Sequence, residues 1–191
     1  MLHRKTSVVA VGLVVLALTC GAANADFDEG SFALQFPDDP GAAFHTWSYD
    51  YDQDILNVDE TLSLVKDDRI IVNASTNDDP NFNVDKTVEN TSGVTWTAYD
   101  LVLETDLGDG SLVVNTATSD LFAQHTMDTT TLHFFDGEVP DGASVNMVFD
   151  INVASIGTFT FTVTQTPVPE PASLSVLAVG ALALLRRRRR S

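Results

Sequence analysis

The stretches VNMVFDINV at residues 145–153 and TFTFTVT at residues 158–164 decide the fold class of this chain. In both, apolar side chains at odd-numbered positions alternate with mostly polar side chains at even-numbered positions. A period of two is typical of a strand with one buried face. Because only residues 154–157 separate the two stretches, we predict that the two strands form a hairpin.

Eight further segments have the composition of strands. They are residues 32–36, 45–51, 60–65, 70–74, 83–90, 95–104, 111–116 and 131–135. Turn sequences rich in Asp, Asn, Gly and Pro separate them, and no stretch shows a helical period of 3.6. Eight to ten short strands at regular spacing predict a single antiparallel β-sandwich, for which jelly-roll and immunoglobulin-like topologies both stay open.

Residues 90–99, NTSGVTWTAY, form a turn that leads into a long strand. Trp96 lies on one parity of this strand, while Tyr99 and Leu101 lie on the other. Either both faces of the strand are covered, or a bulge near residues 97–98 resets the register. We expect a packed aromatic core strand, and the alternative is a sugar-stacking role for Trp96.

The charge of the chain is concentrated in residues 26–166, which we interpret as one domain. This segment holds 26 of the 27 acidic residues and only three basic ones, Lys66, Arg69 and Lys86, so its formal charge is −23. Such a charge argues against nucleic acid as a partner and against adsorption of the free domain to an anionic membrane. It favours solubility and attracts divalent cations.

Two acidic turns are candidates for a calcium site. Asp50, Asp52 and Asp54 form one, and Asp106 and Asp109 beside two glycines form the other. Hard oxygen ligands at this spacing suit Ca²⁺. An EF-hand loop starting at Asp50 would need Gly and Glu where this chain has Ile and Thr, so the first turn is not an EF-hand. The alternative interpretation is a solvated turn.

Motifs for catalysis are absent from the sequence. The domain has three histidines, His45, His125 and His133, and neither a HExxH nor a Gly-x-Ser-x-Gly motif. We therefore predict that the domain is not an enzyme and has no certain cofactor. The alternatives are a glycoside hydrolase-like enzyme, whose two carboxylates would be hidden among the acids, and a carbohydrate-binding module. The second alternative requires one exposed face of aromatic residues, formed by Trp47, Trp96, Tyr49 and Tyr51.

The N-terminus has the three parts of a signal peptide, residues 1–25. Two basic residues precede an apolar stretch over residues 8–18, and Ala23 and Ala25 form a small-x-small cleavage site for signal peptidase. The alternative is a lipoprotein signal at Cys20, but the residues before it are larger than such a site needs. Cleavage after Ala25 would leave a mature chain with no cysteine and hence no disulfide.

The C-terminus, residues 167–191, begins with alternating prolines, which predict an extended spacer through which no strand continues. Residues 172–185 carry no charge, and as a helix they would be about 21 Å long. This length is short for a bilayer core of about 30 Å. Five arginines follow and would stay on the cytoplasmic side.

These three features in this order resemble a PEP-CTERM sorting signal. The matching residues are Pro169, Glu170 and Pro171, the apolar run 172–185, and Arg186, Arg187, Arg188, Arg189 and Arg190. The resemblance implies export, transient anchoring in the inner membrane through a transmembrane helix, and processing by exosortase. The final location would be the cell surface or the extracellular matrix, with exopolysaccharide as the expected surroundings.

Two weaker resemblances accompany this tail. Residues 90–99 are similar to a segment of β-sandwich ectodomains that carry it. The tail is also labelled an ice-binding protein C-terminal domain, and threonines alternate over residues 158–164. An ice-binding face needs such rows on several stacked strands, so we interpret this one row as ordinary strand composition.

Overall fold

A computed structural model describes residue 27 and residues 31–37, 43–76, 81–108, 111–154 and 157–171. Within these ranges the chain forms eleven strands and no helix, which confirms the all-β prediction. The strands are β1 (Ala33–Gln35), β2 (Ala43–Asp50), β3 (Ile55–Leu62), β4 (Asp68–Thr76), β5 (Asn81–Asn90), β6 (Trp96–Thr105), β7 (Leu112–Ser119), β8 (Phe122–Met127), β9 (Thr131–Gly137), β10 (Ser144–Val153) and β11 (Gly157–Pro169).

The strands form two sheets that pack face to face. Sheet A has the order β1-β4-β11-β6-β9-β8, and sheet B has the order β2-β3-β5-β10-β7. Inward side chains of both sheets form one apolar core; for example, the ring centroids of Phe82 on β5 and Phe161 on β11 are 6.3 Å apart. Neighbouring strands are antiparallel except β3 and β5, which are parallel. The prediction of a purely antiparallel sandwich is therefore wrong for sheet B.

The predicted hairpin between the two opening stretches is wrong. β10 pairs with β5 and β7 in sheet B, whereas β11 pairs with β4 and β6 in sheet A. Alternation shows that each strand has one buried face, but it does not show which sheet the strand joins. The chain therefore passes from one sheet to the other between Val153 and Gly157.

The edge strand β8 was not predicted. In this strand only Phe122 is buried, and the five residues that follow are exposed. An edge strand that buries one side chain has no period of two to detect.

Of the two alternatives for β6, the structure shows the bulge. Val168 of β11 pairs with Ala98 and Pro169 pairs with Trp96, so the register slips by one residue at Thr97. Trp96 and Tyr99 are both completely buried as a result. Trp96 is thus a core residue and presents no face to a sugar.

The prolines after residue 166 do not end β11, contrary to the prediction of a spacer free of strand. Pairing with β4 ends at Gln165, but pairing with β6 continues to Pro169. The backbone N–H of Glu170 then donates to Thr95 O at 3.1 Å. The even-numbered residues at this end of β11 thus direct their N–H groups toward β6, and the odd-numbered residues face the opposite side. Pro167 and Pro169 are odd-numbered, so the N–H groups that they lack would point to the side where β4 has already ended. A strand tolerates proline on such an unpaired side.

The two ends of the sandwich differ in what they carry. We call the end where β11 finishes the tail end, and the opposite end the distal end. The tail end comprises residues 63–67, 91–95, 138–143 and 169–171. The distal end comprises residues 51–54, 106–108 and 128–130.

No helix in the described ranges is long and apolar enough to cross a bilayer. The predicted signal peptide (1–25) and the predicted apolar helix (172–185) lie outside these ranges.

A close backbone approach at Gly137 gives a test of this fold. A Cβ atom on Gly137 would lie 2.1 Å from the backbone oxygen of Leu121, so the start of β8 would have to move away from β9. We expect Gly137→Ala to lower the free energy of unfolding by about 1–3 kcal/mol in urea denaturation. Ser144→Ala, at an exposed position, serves as a control and should change the free energy of unfolding by less than about 0.5 kcal/mol. Equal stability of the two variants would contradict the β8–β9 register.

Candidate functional site

Two charged side chains occupy inward positions in the middle of sheet B. Glu60 follows Val58 on the buried face of β3, and Lys86 follows Val84 on the buried face of β5. Only 4% of Glu60 and 2% of Lys86 is exposed. Charges so deeply buried need partners within the core.

Glu60 and Lys86 form an ion pair, with 2.5 Å between Lys86 Nζ and Glu60 Oε2. Burial raises the pKa of Glu60, but Lys86, His45 and Gln165 together outweigh burial and lower this pKa from 4.5 to about 2. Burial lowers the pKa of Lys86, against the attraction of Glu60, because the ammonium is completely desolvated. The carboxylate of Glu60 is therefore ionised throughout the physiological range.

Gln165 connects this pair to the opposite sheet. Its Nε2 donates to Glu60 Oε2 at 2.9 Å and to Asp68 Oδ2 at 2.8 Å. Its Oε1 accepts a hydrogen bond from the Tyr99 hydroxyl at 2.7 Å. Burial, then Glu60 and Asp68, raise the pKa of Tyr99 well above its ordinary value, so this hydroxyl stays a donor.

His45 closes the cluster at the edge strand β2. Its Nδ1 lies 3.3 Å from Glu60 Oε1 and its Nε2 lies 3.7 Å from Asp68 Oδ2. The ring stacks on Phe36 with 4.0 Å between centroids. Lys86 supplies a balancing positive charge to the carboxylate of Glu60.

The cluster of His45, Glu60, Asp68, Lys86 and Gln165, which we call the buried polar cluster, joins the two sheets through hydrogen bonds. In the described part of the chain, His45, Glu60 and Asp68 bring ligand atoms within 4.8 Å of one another, a donor set that Zn²⁺ also uses. Lys86 and Gln165 contact Glu60 Oε2, and Gln165 also donates to Asp68 Oδ2, whereas Glu60 Oε1 and both ring nitrogens of His45 make no hydrogen bond. The side chains of His45, Glu60 and Asp68 are only 3%, 0% and 4% exposed, so the cluster is closed to solvent.

This cluster was not predicted, although the sequence carries a signal of it. Glu60 shares the parity of Leu56 and Val58, and Lys86 shares the parity of Val84. A charge at an inward position of a strand indicates a buried partner on another strand. The pairing itself could not be predicted, because it depends on which strands become neighbours.

The first predicted calcium turn follows β2 at the distal end. Asp50 accepts hydrogen bonds at Oδ1 from the backbone N–H groups of Asp52 and Gln53, and at Oδ2 from the Gln53 side chain. Asp54, with a φ of 53°, accepts from the Tyr49 hydroxyl at 3.3 Å. Burial and then Asp54 raise the pKa of Tyr49. Asp52 is exposed, so the three carboxylates have different surroundings, and calcium binding here stays a prediction.

The second predicted calcium turn borders an open groove at the distal end. The groove has a volume of about 710 Å³. Asp106 and Glu104 line it together with threonines from three separate segments, and Leu103 and Phe161 contribute apolar surface. Asp109, the other residue predicted for this turn, lies outside the described residues, and calcium binding here stays a prediction.

The aromatic residues named for a carbohydrate-binding face do not share one exposed surface. Trp96 is completely buried and Trp47 is 38% exposed. Tyr49 stacks on Phe32 with 4.1 Å between centroids, and Tyr51 contacts Tyr49 edge to face. These contacts place the two tyrosines at the margin of the core.

The other two histidines lie on sheet A. His133 Nδ1 contacts Asp100 Oδ1 on the neighbouring strand β6, and the His133 ring stacks on Phe135. The ring centroids of His125 and Phe134 are 6.0 Å apart. The side chains of His133 and Asp100 are 40% and 35% exposed, as is usual for a polar pair on the outer face of a sheet.

The residues of the predicted sorting motif begin within the fold. Pro169 is the last residue of β11, Glu170 is held to Thr95 by its N–H group, and Pro171 follows. All three side chains are exposed at the tail end. The motif is therefore presented to solvent on a backbone that sheet A fixes in place.

The lowered pKa of Glu60 predicts a pH dependence of stability. A group whose pKa falls on folding contributes stability above its unfolded pKa, and this contribution is lost as the pH drops from about 4.5 to about 2. We expect the double variant Glu60→Gln/Lys86→Met to lose less stability over this range than the wild type, by an amount on the order of 2–3 kcal/mol. Urea unfolding at a series of pH values measures the loss of stability of each variant.

The control for this prediction is Glu89→Gln, which changes a carboxylate outside the buried polar cluster. This variant should lose stability as steeply as the wild type. An unchanged slope in the double variant would contradict the ion pair.

Comparison with known proteins bears on the last residues of the chain. A family model described as the PEP-CTERM protein-sorting motif matches residues 167–190. No curated protein matches the chain. The match confirms the resemblance carried by Pro169-Glu170-Pro171, the apolar run and the arginines. A motif of this kind implies export, sorting at the membrane and exosortase as the sorting partner, and the chain carries this PEP-CTERM motif at its C-terminus.

Proposed function

We propose that this chain is an exported protein that exosortase processes at its tail, and that its acidic β-sandwich acts without catalysis at the cell surface or in the extracellular matrix. The observation that carries the proposal is the PEP-CTERM motif at residues 167–190. The exposure of Pro169, Glu170 and Pro171 at the tail end supports it, because a membrane enzyme needs access to these residues.

The non-enzymatic part of the proposal is supported by the burial of titratable groups. The buried polar cluster brings together four titratable side chains, His45, Glu60, Asp68 and Lys86, and it is closed to solvent. Its hydrogen bonds join the two sheets. This arrangement serves the stability of a cysteine-free exported domain, which has no disulfide to brace it.

The surface charge supports a role in a hydrated matrix. A formal charge of −23 over residues 26–166 makes separate molecules of this protein repel one another and concentrates divalent cations around each of them. We include calcium binding at the acidic turns, with Asp52 as the exposed ligand of the first turn, in the proposal.

A carbohydrate-binding module is the second candidate, and the distal groove favours it. Threonine hydroxyls and the carboxylates of Glu104 and Asp106 line this groove, and such groups form hydrogen bonds with sugar hydroxyls. The groove faces away from the tail, where a surface polymer would be reached. Binding of the mature chain to isolated exopolysaccharide, lost in Asp106→Ala, would favour this candidate.

Processing of the tail can be tested by intact mass and fractionation in an exosortase-containing bacterium. We expect a mature chain that begins at Asp26, lacks Arg186–Arg190 and leaves the inner membrane. The variant Glu170→Ala/Pro171→Ala should keep the arginines and stay in the inner membrane. The control Pro167→Ala lies outside the Pro-Glu-Pro tripeptide and should be processed.

The proposal is contradicted if the wild-type chain begins at Asp26 but is found in the inner membrane with Arg186–Arg190 still attached. Such a chain would be a permanent membrane protein. Processing of the Glu170→Ala/Pro171→Ala variant at the wild-type rate would likewise show that the tripeptide is not the recognised element.

Calcium binding can be tested by thermal unfolding of the mature chain with calcium and with EDTA. Calcium at about 100 times its Kd should stabilise the folded state by about 2.7 kcal/mol and raise Tm. Asp52→Asn should reduce this rise, whereas Asp59→Asn, on an exposed position of β3, should keep it. Equal Tm values in calcium and EDTA would remove calcium from the proposal.

A further inference from the structure

Exposed apolar side chains are concentrated at the tail end. Eight large hydrophobic residues are exposed in the described ranges. Three of them lie in tail-end loops, and a fourth, Phe44, pairs with Thr61 at the adjoining end of β3. These four, which we call the apolar rim, are Phe44 (68% exposed), Leu64 (50%), Val65 (36%) and Val94 (44%). Leu121 lies at the same end, in the turn between β7 and β8.

The apolar rim surrounds the exit of the chain. Val94 precedes Thr95, whose carbonyl accepts the N–H of Glu170 at 3.1 Å. Val65 lies two residues before Asp67, whose Oδ1 accepts the hydroxyl of Thr166 at 2.8 Å. Two loops of the rim are thus hydrogen-bonded to the strand that carries the sorting motif.

The chain leaves little distance between this end and a bilayer. The uncharged run of residues 172–185 starts directly after Pro171. Each residue spans at most about 3.6 Å, and no flexible spacer separates the folded domain from the apolar run. An anchored tail therefore holds the apolar rim next to the lipid surface.

The distribution of charge favours the same orientation. Two of the three basic residues of the domain, Lys66 and Arg69, lie in the loop before β4 and at the start of that strand. The third, Lys86, is buried. Both exposed basic residues of the domain in the described ranges therefore lie at or beside the tail end, where they can contact lipid phosphates.

We propose that, while the tail is anchored, the tail end rests on the lipid bilayer with the apolar rim in its interfacial layer. Apolar loop side chains bury area there, and neighbouring cations contact phosphates. The sandwich then stands on the membrane with its distal groove pointing away from it. This inference rests on the proposed anchoring by residues 172–190.

The absence of cysteine from the mature sequence permits a direct test. The single-cysteine variants Leu64→Cys and Val94→Cys report on the apolar rim. Leu107→Cys and Met127→Cys are matched controls, because these residues are 38% and 39% exposed and lie toward the distal end. Each mature variant, residues 26–191, is labelled with an environment-sensitive fluorophore and reconstituted into zwitterionic vesicles with and without a lipid-attached quencher.

We expect the quencher to lower the fluorescence of the two rim variants roughly threefold, because their probes enter the interfacial layer, and to leave both controls unchanged. The proposal is overturned if the protein floats with the vesicles and all four probes respond alike. If the protein does not float with the vesicles at all, the anchoring itself has failed. The same labelled variants can be compared in cells with and without exosortase. If the rim probes are shielded from solvent only when exosortase is present, the enzyme and not lipid covers this surface, and the lipid proposal is overturned as well.

Discussion

The side chain of Gln165 makes three hydrogen bonds in the closed interior, and each goes to a different strand. Glu60 lies on β3, Asp68 on β4 and Tyr99 on β6. A buried amide that is satisfied in this way fixes the positions of its partners, because an orphaned donor in the core costs about 1–3 kcal/mol. Gln165 thereby ties the two sheets together without a disulfide.

Gln165 is also the point where β11 loses one of its two neighbours. Beyond it, β4 has ended and only β6 continues, so the prolines of the motif can follow without breaking a hydrogen bond. The sorting motif is therefore a continuation of the central strand of sheet A. Within the described residues, the folded domain and the Pro-Glu-Pro tripeptide are thus joined by one strand that sheet A holds as far as Glu170.

Local chemistry in the sequence predicted most strands and the burial of Trp96, and it gave the bulge in β6 as one of two alternatives, because alternation and side-chain size act within one strand. It did not predict that β10 and β11 belong to different sheets, since both have the same parity of buried residues. The polar cluster was missed for a related reason. Glu60 and Lys86 are conspicuous at inward positions, but their partners come from strands up to 105 residues away along the chain.

Hydrogen exchange at Val168 and Glu170 tests most directly that the motif begins within the fold. These are the amides between the prolines of the motif, and Glu170 donates to Thr95. The account predicts that both exchange orders of magnitude more slowly than an unstructured chain, at rates close to those of β6. Exchange at the unstructured rate from Thr166 onward would show a free spacer and would contradict a motif fixed by sheet A.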